Sequence, residues 1–459
     1  MSLIDQLNAR EETGRQIRVG MIGAGKFGTM FLAQVLRIPG VHVVGVADLD
    51  VPRARSNMAY AGWPTDRLDA VSLDAAFQTG ATHVGDDAMA LIAHPSIEII
   101  VECTGNPIVA VEHALAAFSA RKHVIAGTVE ADAICGAALV ARAEAAGVIY
   151  SQAYGDQPAM TQDLVDWART SGFHVVAAGR GHKWKPDYRF STPETIWKDW
   201  GLKMETVDRS RSNSKMFNSF HDGTKPAIES AAICNATGLD APSEGLTYPS
   251  GSVDDIPNLM RAREAGGVLE AEGQVAVINS LTPDGTEIPR NIRTGVWVAV
   301  KALTDYQKNC FEEYFVHTDD SGLYFCKYTM YHLIGLELGM SIANVGVRGE
   351  STGASREFRA DVVAVSKKAL KAGEVLDGEG GYCVAGQLRP SHISVPMRAL
   401  PLGLTGEAKM IRDVPMDSIL TYDDVEIDER LAAATLRREC EAMIEVVTDR
   451  QQRLGGARS

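Results

Sequence analysis

Three groups of residues in this chain have the types and spacing to do chemistry. The first is Gly23-x-Gly25-x-x-Gly28, within the run IRVGMIGAGKFG at residues 17–28. Glycine at the first position permits a tight strand-to-helix turn, and at the second it lets backbone approach a pyrophosphate. At the third it allows close packing of helix on strand, so that phosphates meet the unpaired N–H groups of the helix start. Lys26 and Phe27 lie inside the turn. Asp48 stands 20 residues past Gly28, at the end of a second apolar run, Val41–Ala47, where a carboxylate can hold ribose hydroxyls. Arg53 and Arg55 lie close enough to meet a 2′-phosphate, so the pattern admits NAD or NADP. Cys103-Thr104-Gly105-Asn106-Pro107 ends a further apolar run. That position is expected to line the nicotinamide ribose; ordinary Gly/Pro turn punctuation is the plainer alternative, and the strand alternation after Gly28 favours the cofactor.

The second group is GRGHKWKPDYR, residues 179–189, which collects Arg180, His182, Lys183, Lys185 and Arg189 in an otherwise acidic protein. A loop of this kind at a strand end can bind phosphate or carboxylate. A lysine whose pKa is lowered by neighbouring cations, Lys183 or Lys185, can carry a proton. The plainer reading is a solvated basic loop with Trp184 as its packing anchor. The third group is NSFHDGTKP, residues 218–226, followed by Glu229 and Asn235. Pro226 suits the first turn of a helix and Thr224 can cap it. Asp222 and Lys225 are candidates for catalysis, with Lys225 hydrogen-bonded to a substrate oxygen and Asp222 orienting it. A divalent metal on Asp156, Asp222 and Glu229 is possible, but no ligand-type spacing such as HExxH supports it.

These residues need elements to position them. After Asp48 the pattern alternates helix and strand: Ser72–Thr79, Ile97–Glu102, Ile108–Ala120, His123–Ala126, Ala131–Ala146 and Val148–Ser151. That rhythm predicts a Rossmann-type, doubly wound parallel sheet. From residue 155 it is lost. A helix over Met160–Arg169, short strands at Val175–Ala178, Val268–Leu281 and Gly295–Thr304, and a helix over Ala227–Thr237 suggest an α+β substrate and oligomerisation domain. Leu333–Val347 reads as an apolar helix returning to the nucleotide domain. Residues 361–427 show short strands and Gly turns, then a charged helix, Glu429–Gln452, and a polar tail expected to fray. The domains expected are therefore 1–154, 155–360 and 361–459.

Composition is that of a soluble enzyme, 45% hydrophobic and 23% charged. The net charge of −14 argues against nucleic acid and anionic membrane as partners. The N-terminal run MSLIDQLNAREETGR is acidic and lacks the apolar core of a secretory signal. The seven cysteines form no CxxC pair, which suits small buried hydrophobes in a reducing, cytoplasmic setting.

With these residues in hand, the chain resembles the homoserine-dehydrogenase-like oxidoreductases that carry a C-terminal SAF domain. That group includes the 1-deoxy-D-xylulose 5-phosphate reductoisomerase-like enzymes. The segments that carry the resemblance are the nucleotide turn, GRGHKWKPDYRFSTPETIW, MFNSFHDGTKPAIESAAICNATGL, YHLIGLELG and KKALKAGEVLDGEGGY, spanning about residue 16 to 427. The resemblance implies a cytoplasmic NAD(P)-dependent homo-oligomer with catalysis between the first two domains. Lys183, Lys185, Asp222 and Lys225 match the polar positions of the two motifs. The substrate it implies is a small, anionic hydroxy or keto compound: a sugar phosphate, sugar acid or polyol. If a carbon-skeleton shift precedes reduction, a Lewis-acid metal would assist it. The alternatives are a sugar-acid, polyol or homoserine-like dehydrogenase without rearrangement, and a non-catalytic nucleotide-binding sensor.

Overall fold

The computed structural model describes residues 1–455 apart from residue 69 and segments 201–204 and 206–212; the last four residues of the expected frayed tail fall outside it. Two compact units are present. One comprises Met1–Asp132, Gly136–Met160 and Leu333–Arg356; the other comprises Ala133–Cys135, Thr161–His332 and the chain from Glu357 onward.

The first unit is built on six parallel strands: β1 (Ile17–Ile22), β2 (Val41–Ala47), β3 (His83–Gly85), β4 (Ile99–Glu102), β5 (His123–Ala126) and β6 (Tyr150–Gln152). Their order is β3-β2-β1-β4-β5-β6, so the winding reverses between β1 and β4. All of β4 and nearly all of β1 and β2 are buried, because helices cover both faces of a parallel sheet. That is why these strands read as continuous apolar runs rather than as alternation. The helices Lys26–Val35, Val51–Tyr60, Pro107–Ser119 and Val129–Ala145 make the crossovers.

The expected single helix over Leu333–Val347 is shorter and irregular. Gly335 at φ +75° breaks its start, and a helix over Gly339–Ala343 passes into a wide turn, Asn344–Arg348. A β-carbon on Gly335 would meet the Phe27 carbonyl oxygen at 2.7 Å. The segment nonetheless delivers Leu338, Ile342, Ala343 and Val345 into the same core as Val19, Met21, Phe31 and Val101.

The second unit carries a mixed sheet of β7 (His174–His182), β8 (Gln274–Asn279), β9 (Val296–Lys301) and β10 (Tyr324–Thr329), in the order β10-β9-β7-β8. Strand β7 runs parallel to β8 and antiparallel to β9. It extends four residues past its expected end at Ala178, so Arg180 and His182 are strand residues and not part of a loop. Gly179 and Gly181 permit this, since a β-carbon on either would strike the backbone carbonyl of Ala276 or Ile292. Helix Thr224–Thr237, almost wholly buried, packs on β8 and on the hairpin of β11 (Ala360–Ser366) and β12 (Val384–Pro390). A two-residue pair, β13 (Lys409–Met410) with β14 (Val425–Glu426), completes the small β-rich region. The last helix, Ala432–Gly455, is anchored where Arg437 donates to both oxygens of buried Asp361, at 2.7 and 2.6 Å. Among the described residues no helix is long and apolar enough to cross a membrane.

Candidate functional site

In the first unit the three glycines do three separate things. Gly23 has φ +95°, and a β-carbon there would meet the Cys103 carbonyl oxygen at 2.6 Å, so the carboxyl ends of β1 and β4 touch at this residue. Gly28 has no room for a side chain between Met21 and the Gly23 carbonyl. Gly25 is different: a β-carbon there would meet nothing within 4 Å. It is the N-cap of Lys26–Val35 and makes no side-chain cap hydrogen bond, which leaves the first N–H groups of that helix for a ligand. A cradle open only at its middle glycine fits a pyrophosphate.

The flanking residues brace this loop. Asp48 accepts from the Ala24 N–H at 2.8 Å with one oxygen, and from the Asp50 N–H at 2.9 Å and Arg53 at 3.0 Å with the other. A carboxylate accepts about four hydrogen bonds, so capacity for a ribose hydroxyl remains. Arg55 is turned to the Leu68 carbonyl at 2.8 Å. Lys26 is exposed, and Phe27 packs over Gly127. The Cys103 thiol donates to the Gly23 carbonyl at 3.0 Å, and burial beside Glu102 and Asp48 pushes its pKa well up, which makes it a packing thiol rather than a nucleophile. Thr104 donates to Glu102 at 2.6 Å, and the Gly105 N–H donates to Thr128 at 3.1 Å. Glu102, buried at the end of β4, also accepts from Thr128 at 2.5 Å and lies 3.4 Å from His113. Glu102 and Thr128 set the turn at residues 103–105, yet neither stands out in the sequence, where one ends a strand and the other precedes a helix.

In the second unit the two polar motifs meet. Trp184 packs on Gly223, whose φ of +88° and missing β-carbon make space for it, and stacks on Tyr248 at 4.4 Å between ring centroids. Tyr188 lies against His221 at 3.5 Å between centroids, and Ser191 donates to Asn218 at 2.6 Å. The side-chain amide of Asn279 pairs with the N–H and the carbonyl of Trp184, at 2.9 and 3.0 Å, and so holds the loop in place.

The basic cluster is less cationic than its composition. Arg180 is buried in an ion pair with Glu229, and Arg189 pairs with Asp417. Burial and the nearby Arg180 charge push the His182 pKa well below its usual value, so this ring is neutral. Lys183 is half-buried, and the half-buried Lys185 lies over Gly285.

In the other motif, Gly223 and not Thr224 is the cap of the helix. The Thr224 N–H donates to Asp222 at 3.0 Å, and its hydroxyl accepts from the Gly386 N–H at 2.8 Å. Asp222 is buried and accepts from Lys367 at 2.8 Å, so it orients Lys367. Lys225 is half-buried, its ammonium 6.0 Å from the Phe220 ring. Asn235 is structural, bonded to the backbone of Arg359 and Ala360. The metal reading finds no support. Asp222 and Glu229 are each matched by a buried cation, and no group of three or more His, Cys, Asp or Glu able to hold a metal occurs among the described residues.

Two domain families match the chain. Residues 23–152 match the NAD-binding domain of homoserine dehydrogenase, and residues 155–338 match the catalytic domain of oxidoreductase DRL. No curated protein sequence matches. Among solved structures, a probable dehydrogenase from Thermotoga maritima is similar at 16% identity and TM-score 0.36, covering 73% of this chain and 90% of its own. A levoglucosan dehydrogenase in complex with NADH is similar at 18% identity and TM-score 0.25, covering 38% and 47%. The UDP-N-acetylglucosamine 3-dehydrogenase of Acidithiobacillus ferrooxidans is similar at 18% and 0.25, covering 38% and 49%. The two domain matches make this chain an NAD(P)-dependent oxidoreductase.

Proposed function

We propose that this NAD(P)-dependent oxidoreductase interconverts the hydroxyl and carbonyl forms of a small, anionic, hydroxylated compound of the sugar-acid or sugar-phosphate class. One observation carries the reading: Trp184 seated on Gly223, which joins the 179–189 and 217–238 motifs in one polar wall. Lys183 precedes Trp184 and Lys225 lies two residues past Gly223, and both are half-buried. Aromatic faces suit the C–H faces of a sugar-like chain, and lysines suit its anionic group.

The nicotinamide, when bound, supplies or takes up the hydride. The chain's residues do the rest. The Gly23–Gly28 loop and the helix start behind Gly25 bind the pyrophosphate, and Asp48 takes a ribose hydroxyl. Lys225 holds the substrate oxygen whose charge changes, as an ammonium aimed at a developing alkoxide. Asp222 keeps the first turn carrying Lys225 in place through its bond to the Thr224 N–H. The buried Arg180–Glu229 pair carries no net charge and leaves anion recognition to the lysines.

The test is a panel of sugar acids, sugar phosphates and polyols followed by nicotinamide absorbance. Turnover of an anionic member, lost in Lys225→Met with cofactor affinity kept, supports the reading. Cofactor binding without turnover of any member favours the sensor. Carbon connectivity of the product separates simple oxidation from a reductoisomerase reaction.

A further inference from the structure

A cavity of about 300 Å³ opens in the first unit at the opposite ends of the strands from the glycine loop. Gln16 precedes β1, Val41, His42 and Val43 begin β2, and Thr82 precedes β3; all line it. Strands of six or seven residues put it roughly 20 Å from the cofactor cradle, so it is no extension of that site.

Its lining has a definite chemistry. Arg37 donates to the Ala33 carbonyl at 2.8 Å and Arg67 to the Gly80 carbonyl at 2.7 Å, both through Nη1. Each guanidinium is thus held by one nitrogen, with its remaining N–H groups available for a planar anion. Glu11 also lines the cavity, and it is already engaged by Gln16 at 2.7 Å and the Gly40 N–H at 2.8 Å. Two arginines against one carboxylate leave a single excess positive charge. His42 is buried and kept neutral by that burial, with its Nε2 on the Ala81 carbonyl at 2.8 Å. Nε2 therefore carries the proton, and Nδ1 is an acceptor. Val35, Leu36, Val43 and the indole of Trp63 supply apolar walls. Trp63 is fixed by its N–H on the Leu32 carbonyl at 2.8 Å.

The geometry points to a second ligand site here, for a small monocarboxylate with an apolar body, its carboxylate between Arg37 and Arg67 and its body against Trp63. A divalent anion would leave one charge unmatched, and a neutral apolar molecule would leave both guanidinium groups unanswered. The site uses none of the residues assigned to hydride transfer and stands whether or not that assignment holds.

The test is thermal unfolding of the NAD-saturated protein with three probes: phenylacetate, acetate and benzyl alcohol. Phenylacetate raises Tm with concentration, while acetate and benzyl alcohol, each lacking half of the recognition, bind at least roughly tenfold more weakly. Arg37→Gln and Arg67→Gln each weaken phenylacetate by a similar factor, and both arginines are exposed, so the fold survives. Phenylacetate also changes tryptophan emission in the parent protein and not in Trp63→Phe. A Tm shift that persists in the Arg37→Gln/Arg67→Gln double variant, or no shift up to the solubility of phenylacetate, overturns the assignment.

Discussion

Lys367 donates a hydrogen bond to Asp222 at 2.8 Å with both side chains withdrawn from water, although 145 residues separate them in the chain. Burial pushes the Asp222 pKa up, and the Lys367 charge opposes that rise. A raised carboxyl contributes stability that is complete below its unfolded pKa and is lost as pH climbs through the folded value. Lys367→Met removes the opposing charge and moves that loss towards neutral pH. Breaking a buried pair costs about 3–5 kcal/mol. Tm of Lys367→Met should therefore fall furthest below that of the parent at neutral pH, and the gap should narrow on acidification. A gap independent of pH would mean that Asp222 is not the group exposed by the loss.

Gly23 and Gly25 should fail in different ways. Gly23→Val drives a side chain into the Cys103 carbonyl at positive φ, so the protein should be poorly folded or unfolded. Gly25→Val has open space around its β-carbon and should keep parental Tm while losing dinucleotide binding by calorimetry. Retained affinity in Gly25→Val would place the pyrophosphate elsewhere.

Asp48→Ala removes a carboxylate that holds the Ala24 N–H and Arg53. With Asp48 gone, the Arg53 guanidinium is left with its 3.9 Å pairing to Asp50 and can turn towards the ribose position. The ratio of NADP to NAD affinity should rise about tenfold or more, since a charged hydrogen bond is gained as a like-charge repulsion disappears. The Asp48→Ala/Arg53→Ala double variant should lose that gain. An unchanged ratio in the single variant would sink the role given to both residues.

Lys225→Met keeps most of the side-chain stem and removes the ammonium. It should leave Tm and cofactor affinity unchanged and lower kcat by roughly 10²-fold or more, the scale of a lost oxyanion or proton-transfer group. Near-parental turnover on the true substrate would move that role to Lys183.

Asp132 offers a pH test in the first unit. Burial is the largest cause lifting its pKa to about 6, against hydrogen bonds from Ser355, Gln152 and Tyr150. Its contribution to stability is complete below about pH 4 and lost as pH rises through about 6. Asp132→Asn should therefore gain Tm relative to the parent across that interval. A difference that stays flat from pH 4 to 7 would show that the carboxyl is not protonated in the folded protein.

What the sequence showed depended on whether a feature is local. The glycine turn and the apolar runs of the parallel strands are each decided by neighbours a few positions away, and the structure follows them. The length of β7 is not legible, because Arg180 and His182 look like loop residues until Ala276 and Ile292 close on the glycines that precede each of them. Lys367, Asn279 and Glu102 are illegible for the same reason. Each acts on a distant stretch of chain, and nothing beside it in sequence marks the partner. The juxtaposition of Trp184 and Gly223 is half legible: each motif stands out in the sequence, but only the fold brings them together.

The return of residues 333–356 to the first unit has a consequence for how the protein is made. Four residues of the nucleotide-binding core, Leu338, Ile342, Ala343 and Val345, are synthesised about 180 residues after Met160. At about 5–20 residues per second that is a wait of roughly 10 to 40 s, during which the sheet carries an uncovered apolar surface. The strands of this unit are made before those of the second, but its core closes only once residues 338–345 have been added.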